Sequence, residues 1–161
     1  MRFICDDNLG KLAKYLRILG FDTYFQESLS NPVLLRIAAS EKRYLLTRDG
    51  KLMNMSHPYG VLLLERDDPL EQLRTAVSAL NLQINPDVLF SRCSVCNDVC
   101  VKVDKNVAGS HVFPYILQTQ DVISQCPSCK RFYWKGTHYR KLLRMLRSAI
   151  PDKAIDGRWP E

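Results

Sequence analysis

Two Cys-x2-Cys pairs, Cys93/Cys96 and Cys126/Cys129, restrict what this chain can fold into more than any other feature of it. A tetrahedral zinc ion takes four thiolates, and each pair delivers two of them from one tight turn. The 29 residues between the pairs leave room for a few short strands between two cysteine knuckles, the layout of a zinc ribbon. Two other uses of the cysteines fit less well. Disulfides need an oxidising compartment, and no apolar signal segment opens the sequence, which is already charged at Asp6 and Asp7. A thioredoxin-like motif is a single pair opening a helix after a strand, whereas here two pairs occur and Pro127 lies inside the second. The expected cofactor is therefore a structural Zn2+ on Cys93, Cys96, Cys126 and Cys129. Of the remaining cysteines, Cys5 lies in an apolar run and reads as a small core residue, and Cys100, four residues past the first pair, reads as a spare thiol with a competing zinc ligand as the alternative.

A chain of 161 residues holds one good-sized core or a core plus a small appendage, and a zinc ribbon suits the second option. No run of 18 apolar residues is present, so no membrane partner is expected and the reading is an intracellular protein, cytoplasmic or nuclear. The net charge of +6 is unevenly placed. Residues 1–90 carry 11 Lys and Arg against 11 Asp and Glu, so the whole excess belongs to residues 91–161. The densest basic stretch there runs from Lys130 to Arg147 and contains Lys130, Arg131, Lys135, Arg140, Lys141, Arg144 and Arg147 with no acid. Phe132, Tyr133, Trp134 and Tyr139 are interleaved. Cations that meet phosphates, beside rings that stack on bases, are what single-stranded nucleic acid requires of a partner. A solvated helix face with the aromatics packing the ribbon is the alternative.

The first ninety residues alternate strand and helix signals. Arg2 to Cys5 is a short apolar run ending at Asp6-Asp7-Asn8, all good helix caps. Leu9, Leu12, Ala13, Leu16 and Leu19 recur at helical spacing before Gly20. Phe21 to Phe25 reads as a strand, Pro32 opens a helix, Tyr44 to Thr47 is a third strand and Val61 to Leu64 a fourth. Asp68 and Pro69 then start a helix with Leu70, Leu73, Ala76, Val77 and Leu80 along one stripe. Such βαβαβ alternation predicts an α/β fold with a parallel sheet covered by helices. Ligands of such sheets bind outside the carboxyl ends of the strands, and acids stand at three of those ends: Asp6 and Asp7, then Asp49, then Glu65, Asp67 and Asp68. Gathered carboxylates repel unless a cation lies between them, and oxygen ligands select a hard ion, Mg2+ or Mn2+. Asp7 and Asp68 also read as helix caps and Asp49 as a turn residue. An acid-bound metal beside a basic, aromatic surface predicts phosphodiester hydrolysis without a protein nucleophile. Neither a Gly-x-Ser-x-Gly elbow nor a Gly-x4-Gly-Lys-Ser/Thr loop is present.

The run Phe3 to Gly20, Leu45-Leu46-Thr47-Arg48-Asp49, the two cysteine pairs and Tyr133-Trp134-Lys135-Gly136-Thr137-His138 together resemble the mut-seven C-terminal ribonuclease domain family. That resemblance spans Arg2 to about Arg147 and implies a PIN-like nuclease fold joined to a zinc ribbon. It implies Asp6 and Asp49 as metal-binding acids with Asp7 as a helper, Arg48 on phosphate, and His138 on RNA or in a structural hydrogen bond. Relatives often carry an acid before the second helix where this chain has Ser30-Asn31, so Glu27 or Asp67 is left to fill a third ligand position. Members also occur at the end of longer chains bearing an exonuclease domain. The resulting expectation is a PIN-like nuclease domain over 1–90, a zinc ribbon with a basic helix over 91–150 and a flexible tail over 151–161. Asp6, Asp7, Asp49 and Asp67 would be catalytic. Arg48, Lys130, Arg131, Trp134, Lys135, His138, Arg140, Lys141 and Arg144 would hold RNA. A non-catalytic RNA-binding module and a protein-interaction platform are the alternatives.

Overall fold

The computed structural model of the chain describes residues 1–55 and 57–160. Four parallel strands, β1 (Arg2–Cys5), β2 (Asp22–Tyr24), β3 (Tyr44–Thr47) and β4 (Val61–Leu63), form a sheet in the order β2-β1-β3-β4. The connections contain α1 (Gly10–Ile18), α2 (Asn31–Ser40) and α3 (Gly50–Met53), and α4 (Pro69–Ala79) follows β4. Inner strands of such a sheet are covered on both faces and therefore read as unbroken apolar runs. Phe3, Cys5 and Leu46 face a core shared with Leu12 and Leu16 of α1 and Leu73 and Val77 of α4. Ile4 and Leu45, one residue out of phase, face a second core with Leu34 and Ala38 of α2 and Leu52 of α3. The chain leaves β1 toward β2 and then returns across β1 to β3, so the carboxyl ends of β1 and β3 flank the point where the strand order reverses. That is where open α/β sheets bind ligands. Asp68 caps α4 as expected, its carboxylate accepting the Leu70 and Glu71 N–H groups at 2.9 Å.

The second half contains β5 (Val101–Val103), α5 (Lys105–Ala108), α6 (Pro114–Thr119), β6 (Ile123–Gln125), β7 (Phe132–Tyr133) and α7 (Thr137–Arg147). The strands are antiparallel in the order β5-β6-β7. The stretch between the cysteine pairs is thus not strands alone, since α5 and α6 interrupt it. Asp104 starts α5 by accepting the Asn106 N–H at 2.7 Å, and Pro114 occupies the first turn of α6. Each helix is too short to show a period in the sequence.

Two expectations about the C-terminal part need correction. The basic helix α7 is not an appendage of the ribbon alone: Leu142, Met145 and Leu146 pack into the core beneath β1 and β3. Residues 151–160 are not a loose tail. Ile155 forms a parallel bridge with Ile84, the Ile84 N–H donates to the Ala154 carbonyl at 2.8 Å, and the Asp156 N–H returns to the Ile84 carbonyl at 2.9 Å. Ala154 is buried and Trp159 packs against the same core; Glu161 lies outside the described residues. The polar composition of the segment hides two apolar anchors, which suffice to dock it. Ending the chain after Ile150 is expected to cost about 2–4 kcal/mol. That sums two main-chain hydrogen bonds at about 1 kcal/mol each and the apolar surface of Ile155 and Trp159. A urea titration against the full chain checks this.

Candidate active site and zinc centre

The four thiols of Cys93, Cys96, Cys126 and Cys129 come together with their sulfur atoms all within 4.8 Å of one another, and the Cys93 and Cys129 sulfurs are 3.6 Å apart. Zn–S bonds of about 2.3 Å in a tetrahedron require sulfurs about 3.8 Å apart, so this donor set fits zinc. The two knuckles repeat one backbone pattern. The N–H of the residue after the second cysteine donates to the carbonyl of the first, Asn97 to Cys93 at 3.0 Å and Lys130 to Cys126 at 3.1 Å. The first cysteine's own N–H donates to the carbonyl of the second residue past the pair, Cys93 to Asp98 at 2.8 Å and Cys126 to Arg131 at 2.9 Å. Closing that turn puts Asn97 at φ 72° and Lys130 at φ 61°, a region asparagine tolerates better than most residues. Burial raises the Cys93 thiol, but hydrogen bonds from the Tyr133 hydroxyl and from the Cys96 and Val95 N–H groups outweigh it and bring it down to about 7. Cys100 stays outside the cluster, and burial pushes its thiol up to about 12. Cys5 is buried in the sheet core and is likewise pushed up to about 12 by burial.

The first knuckle is fastened to the edge strand of the parallel sheet. The Asn97 side chain accepts the Thr23 N–H at 2.9 Å and donates to Asp22 at 2.7 Å. Arg17, buried at the end of α1, donates to the Thr23 carbonyl at 2.9 Å and to the Ser94 and Val95 carbonyls at 3.2 and 2.8 Å. Arg92 donates to the Gly20 carbonyl at 3.1 Å and the Asn97 carbonyl at 2.8 Å. None of these three residues stands out in the sequence, because a buried arginine or a bridging asparagine carries no spacing signal.

At the other end of the sheet, Asp6 and Asp49 are joined through Thr47. The Thr47 hydroxyl donates to one Asp6 oxygen at 2.8 Å and accepts the Asp49 N–H at 2.9 Å. The second Asp6 oxygen accepts the Asp7 N–H at 2.7 Å. Asp49 accepts the Lys51 N–H at 2.9 Å on one oxygen and the Asn31 side-chain amide at 3.2 Å on the other. Each of the four oxygens so has one protein donor and keeps a second lone pair. Asp6 is only 8% exposed, so its orientation is fixed by these contacts.

The other predicted acids are placed differently. The Asp7 carboxylate accepts the Ser28 N–H at 2.5 Å and clamps the loop after β2. Asp67 is exposed and forms an ion pair with Arg48, so these two predicted site residues occupy each other. Glu27 is exposed. Among the described residues the four thiols are the one group of three or more Cys, His, Asp or Glu side chains gathered closely enough to share an ion; the acids do not make a second. The side-chain amide of Asn31, not a carboxylate, stands beside Asp49 at 3.2 Å. Thr47, which links the two aspartates, is a residue that sequence reasoning misses, its only signal being a polar residue that closes the run Tyr44-Leu45-Leu46.

Apart from Arg48, which follows β3, the residues expected to hold RNA lie on the ribbon and α7. Arg140, Lys141 and Arg144 are exposed on the outer side of α7, and Arg131, Lys135 and His138 are exposed before and at its start. The Lys130 ammonium closes its own knuckle on the Pro127 carbonyl at 2.6 Å. Trp134 is half-buried.

Fold and sites together describe an α/β chain with paired aspartates at the strand reversal and a four-thiol centre that could hold zinc. The chain belongs to the Mut7-C RNAse domain family, whose model matches residues 1–146. No curated protein and no solved structure matches it. No helix among the described residues is long and apolar enough to cross a membrane.

Proposed function

We propose that the chain is a metal-dependent ribonuclease with a PIN-like catalytic half, cutting single-stranded RNA at Asp6 and Asp49. The observation that carries this reading is the Asp6–Thr47–Asp49 relay at the strand reversal, in a member of a ribonuclease domain family. Asp6 and Asp49 would hold Mg2+ or Mn2+, which when bound supplies Lewis acidity and a hydroxide from water. Thr47 fixes the spacing of the two carboxylates, and Asn31 and Lys51 fix the rotation of Asp49. Arg140, Lys141 and Arg144 meet backbone phosphates and keep the strand in register with the acids. The thiol centre would hold a structural zinc ion that sets the ribbon.

The Asn31 amide beside Asp49 favours a second reading, a module that binds RNA without cutting it. An assay of labelled single-stranded RNA, with and without Mn2+, decides between them alongside filter binding. Cleavage that requires Mn2+ supports the nuclease; salt-sensitive binding with intact RNA at every Mn2+ concentration supports the module. Asn31→Asp sharpens the test. A third carboxylate next to Asp49 is destabilising without a cation, through like-charge repulsion. The variant is therefore expected to melt lower than the parent without added divalent ion, to regain stability on adding Mn2+ and to cleave faster at low Mn2+, by about tenfold. A variant whose melting does not respond to Mn2+ would rule out a metal at Asp49.

A further inference from the structure

A cavity of about 820 Å3 opens between α1, the ribbon sheet and the start of α7. Lys14 of α1, Lys102 of β5 and Lys135 ahead of α7 line it from three directions, and Asp87 is the one carboxylate among the described residues that does so. Among the described residues none of the three lysines forms an ion pair. Three unneutralised ammonium groups around one cavity select an anionic occupant. The walls are aromatic. Phe90 and Tyr139 pack at a tilt with centroids 4.2 Å apart, and the Lys135 ammonium sits 5.9 Å from the Tyr139 centroid, so that ring already has two partners. Trp134 pairs with no other ring among the described residues. Its indole lies against Gly136, where a Cβ would come within 2.9 Å of Nε1. The absence of a Cβ at Gly136 lets the edge of the indole settle there, and Trp134 lines the cavity.

The geometry points to a binding site for one unpaired nucleotide of an RNA strand, with its base on Trp134 and its phosphates among Lys14, Lys102 and Lys135. A flat π surface with surrounding cations suits any base and its backbone. The volume falls within the roughly 300–1,000 Å3 of pockets that enclose groups of this size. Duplex RNA is excluded because its bases are stacked inside the helix and cannot enter a cavity.

The site is separate from the aspartates. Lys14 is seven residues beyond Asp7, on the order of 10 Å along the helix at 1.5 Å per residue, and Ile18, which also lines the cavity, lies farther still. A strand held at both places spans several nucleotides, at about 3.4 Å per stacked step. Insofar as it rests on the ribonuclease reading, the site sets the length of RNA needed for cutting; as a binding site it stands without that reading.

The test uses the full chain and a fluorescein-labelled ten-nucleotide oligo(A), with binding read by anisotropy without added divalent ion and cleavage read separately with Mn2+. Lys14→Glu and Lys102→Glu are each expected to weaken binding at least about fivefold. Each should also flatten the dependence of log affinity on log salt by about 0.7, one phosphate contact on a single strand. Gly136→Ala, whose backbone at φ −88° suits alanine, displaces the indole and is expected to weaken binding severalfold. Arg36→Glu on α2 removes the same charge away from the cavity and serves as the control. Parental binding by both lysine variants overturns the inference, as does equal weakening by Arg36→Glu, which would mean a diffuse field, or equal affinity for duplex RNA. Lysine-dependent binding without cleavage keeps the inference and removes the ribonuclease reading. Cleavage untouched by the lysine variants does the reverse.

Discussion

The Asp6→Asn and Asp49→Asn proteins are expected to fold and bind RNA as the parent does while losing Mn2+-dependent cleavage by about a thousandfold or more. Loss of a group that only orients a metal ligand costs about 10–100-fold, and loss of the ligand's own charge costs more. Asparagine has the shape of aspartate, so the local contacts survive. At position 6 the amide oxygen still accepts the Asp7 N–H, and the Thr47 hydroxyl can rotate to accept from the new amide. At position 49 the oxygen still accepts the Lys51 N–H that starts α3. What changes is charge: one of two carboxylates is gone. Thermal melting, zinc content and oligo(A) binding establish that the variant is folded, and a cleavage time course reads the loss. If either protein cuts at the parental rate, the site at the strand reversal is not catalytic.

Thr47→Val separates charge from position. It keeps both carboxylates and the shape of the residue but removes the link between them. Asp6, almost fully buried, then lacks one of its two donors, a loss of about 1–3 kcal/mol in stability. Cleavage should fall by the smaller factor of about 10–100-fold, with half-maximal activity moved to higher Mn2+.

The sheet was legible in the sequence to within a residue or two because its inner strands are buried on both faces and read as apolar runs, as in Arg2–Cys5 and Tyr44–Thr47. Helix α4 was legible from Asp68-Pro69 and one apolar stripe. The short helices α5 and α6 were not, since a single turn has no period, and neither was the docking of residues 152–156, which depends on the remote partner Ile84. At the candidate site the acids themselves could be picked out by their place after strands. Their pairing could not: Thr47 joins Asp6 to Asp49, while Asp67, adjacent in sequence logic, is drawn away by Arg48. Residue type and topology pick out candidate donors, and side-chain direction decides which of them meet.

Replacing Cys126 by serine is expected to unfold the ribbon while the parallel sheet remains. Structural zinc in small domains contributes an apparent 10–16 kcal/mol or so to folding, and a three-thiolate remnant forfeits much of it. The ribbon has little else to stand on. Its strands are two or three residues long, and Val101, Val107, Phe113, Tyr115 and Val122 are exposed. The parallel sheet buries two cores of its own, so it survives. Damage to it should be confined to β2, where Asn97 no longer satisfies the Thr23 N–H and Arg17 loses the Ser94 and Val95 carbonyls. Amide exchange reads the distinction directly. Protection is expected to vanish over residues 93–133 and to fall at Asp22–Tyr24, with β1 and β3 unchanged. Binding of oligo(A) should fall with the ribbon, because Lys102 and Trp134 lose their places, whereas Asp6 and Asp49 keep their contacts through Thr47. Uniform loss of protection through β1 and β3 would show instead that zinc and sheet form a single cooperative unit. In that case the thiols would be as necessary to the parallel-sheet half as its own core.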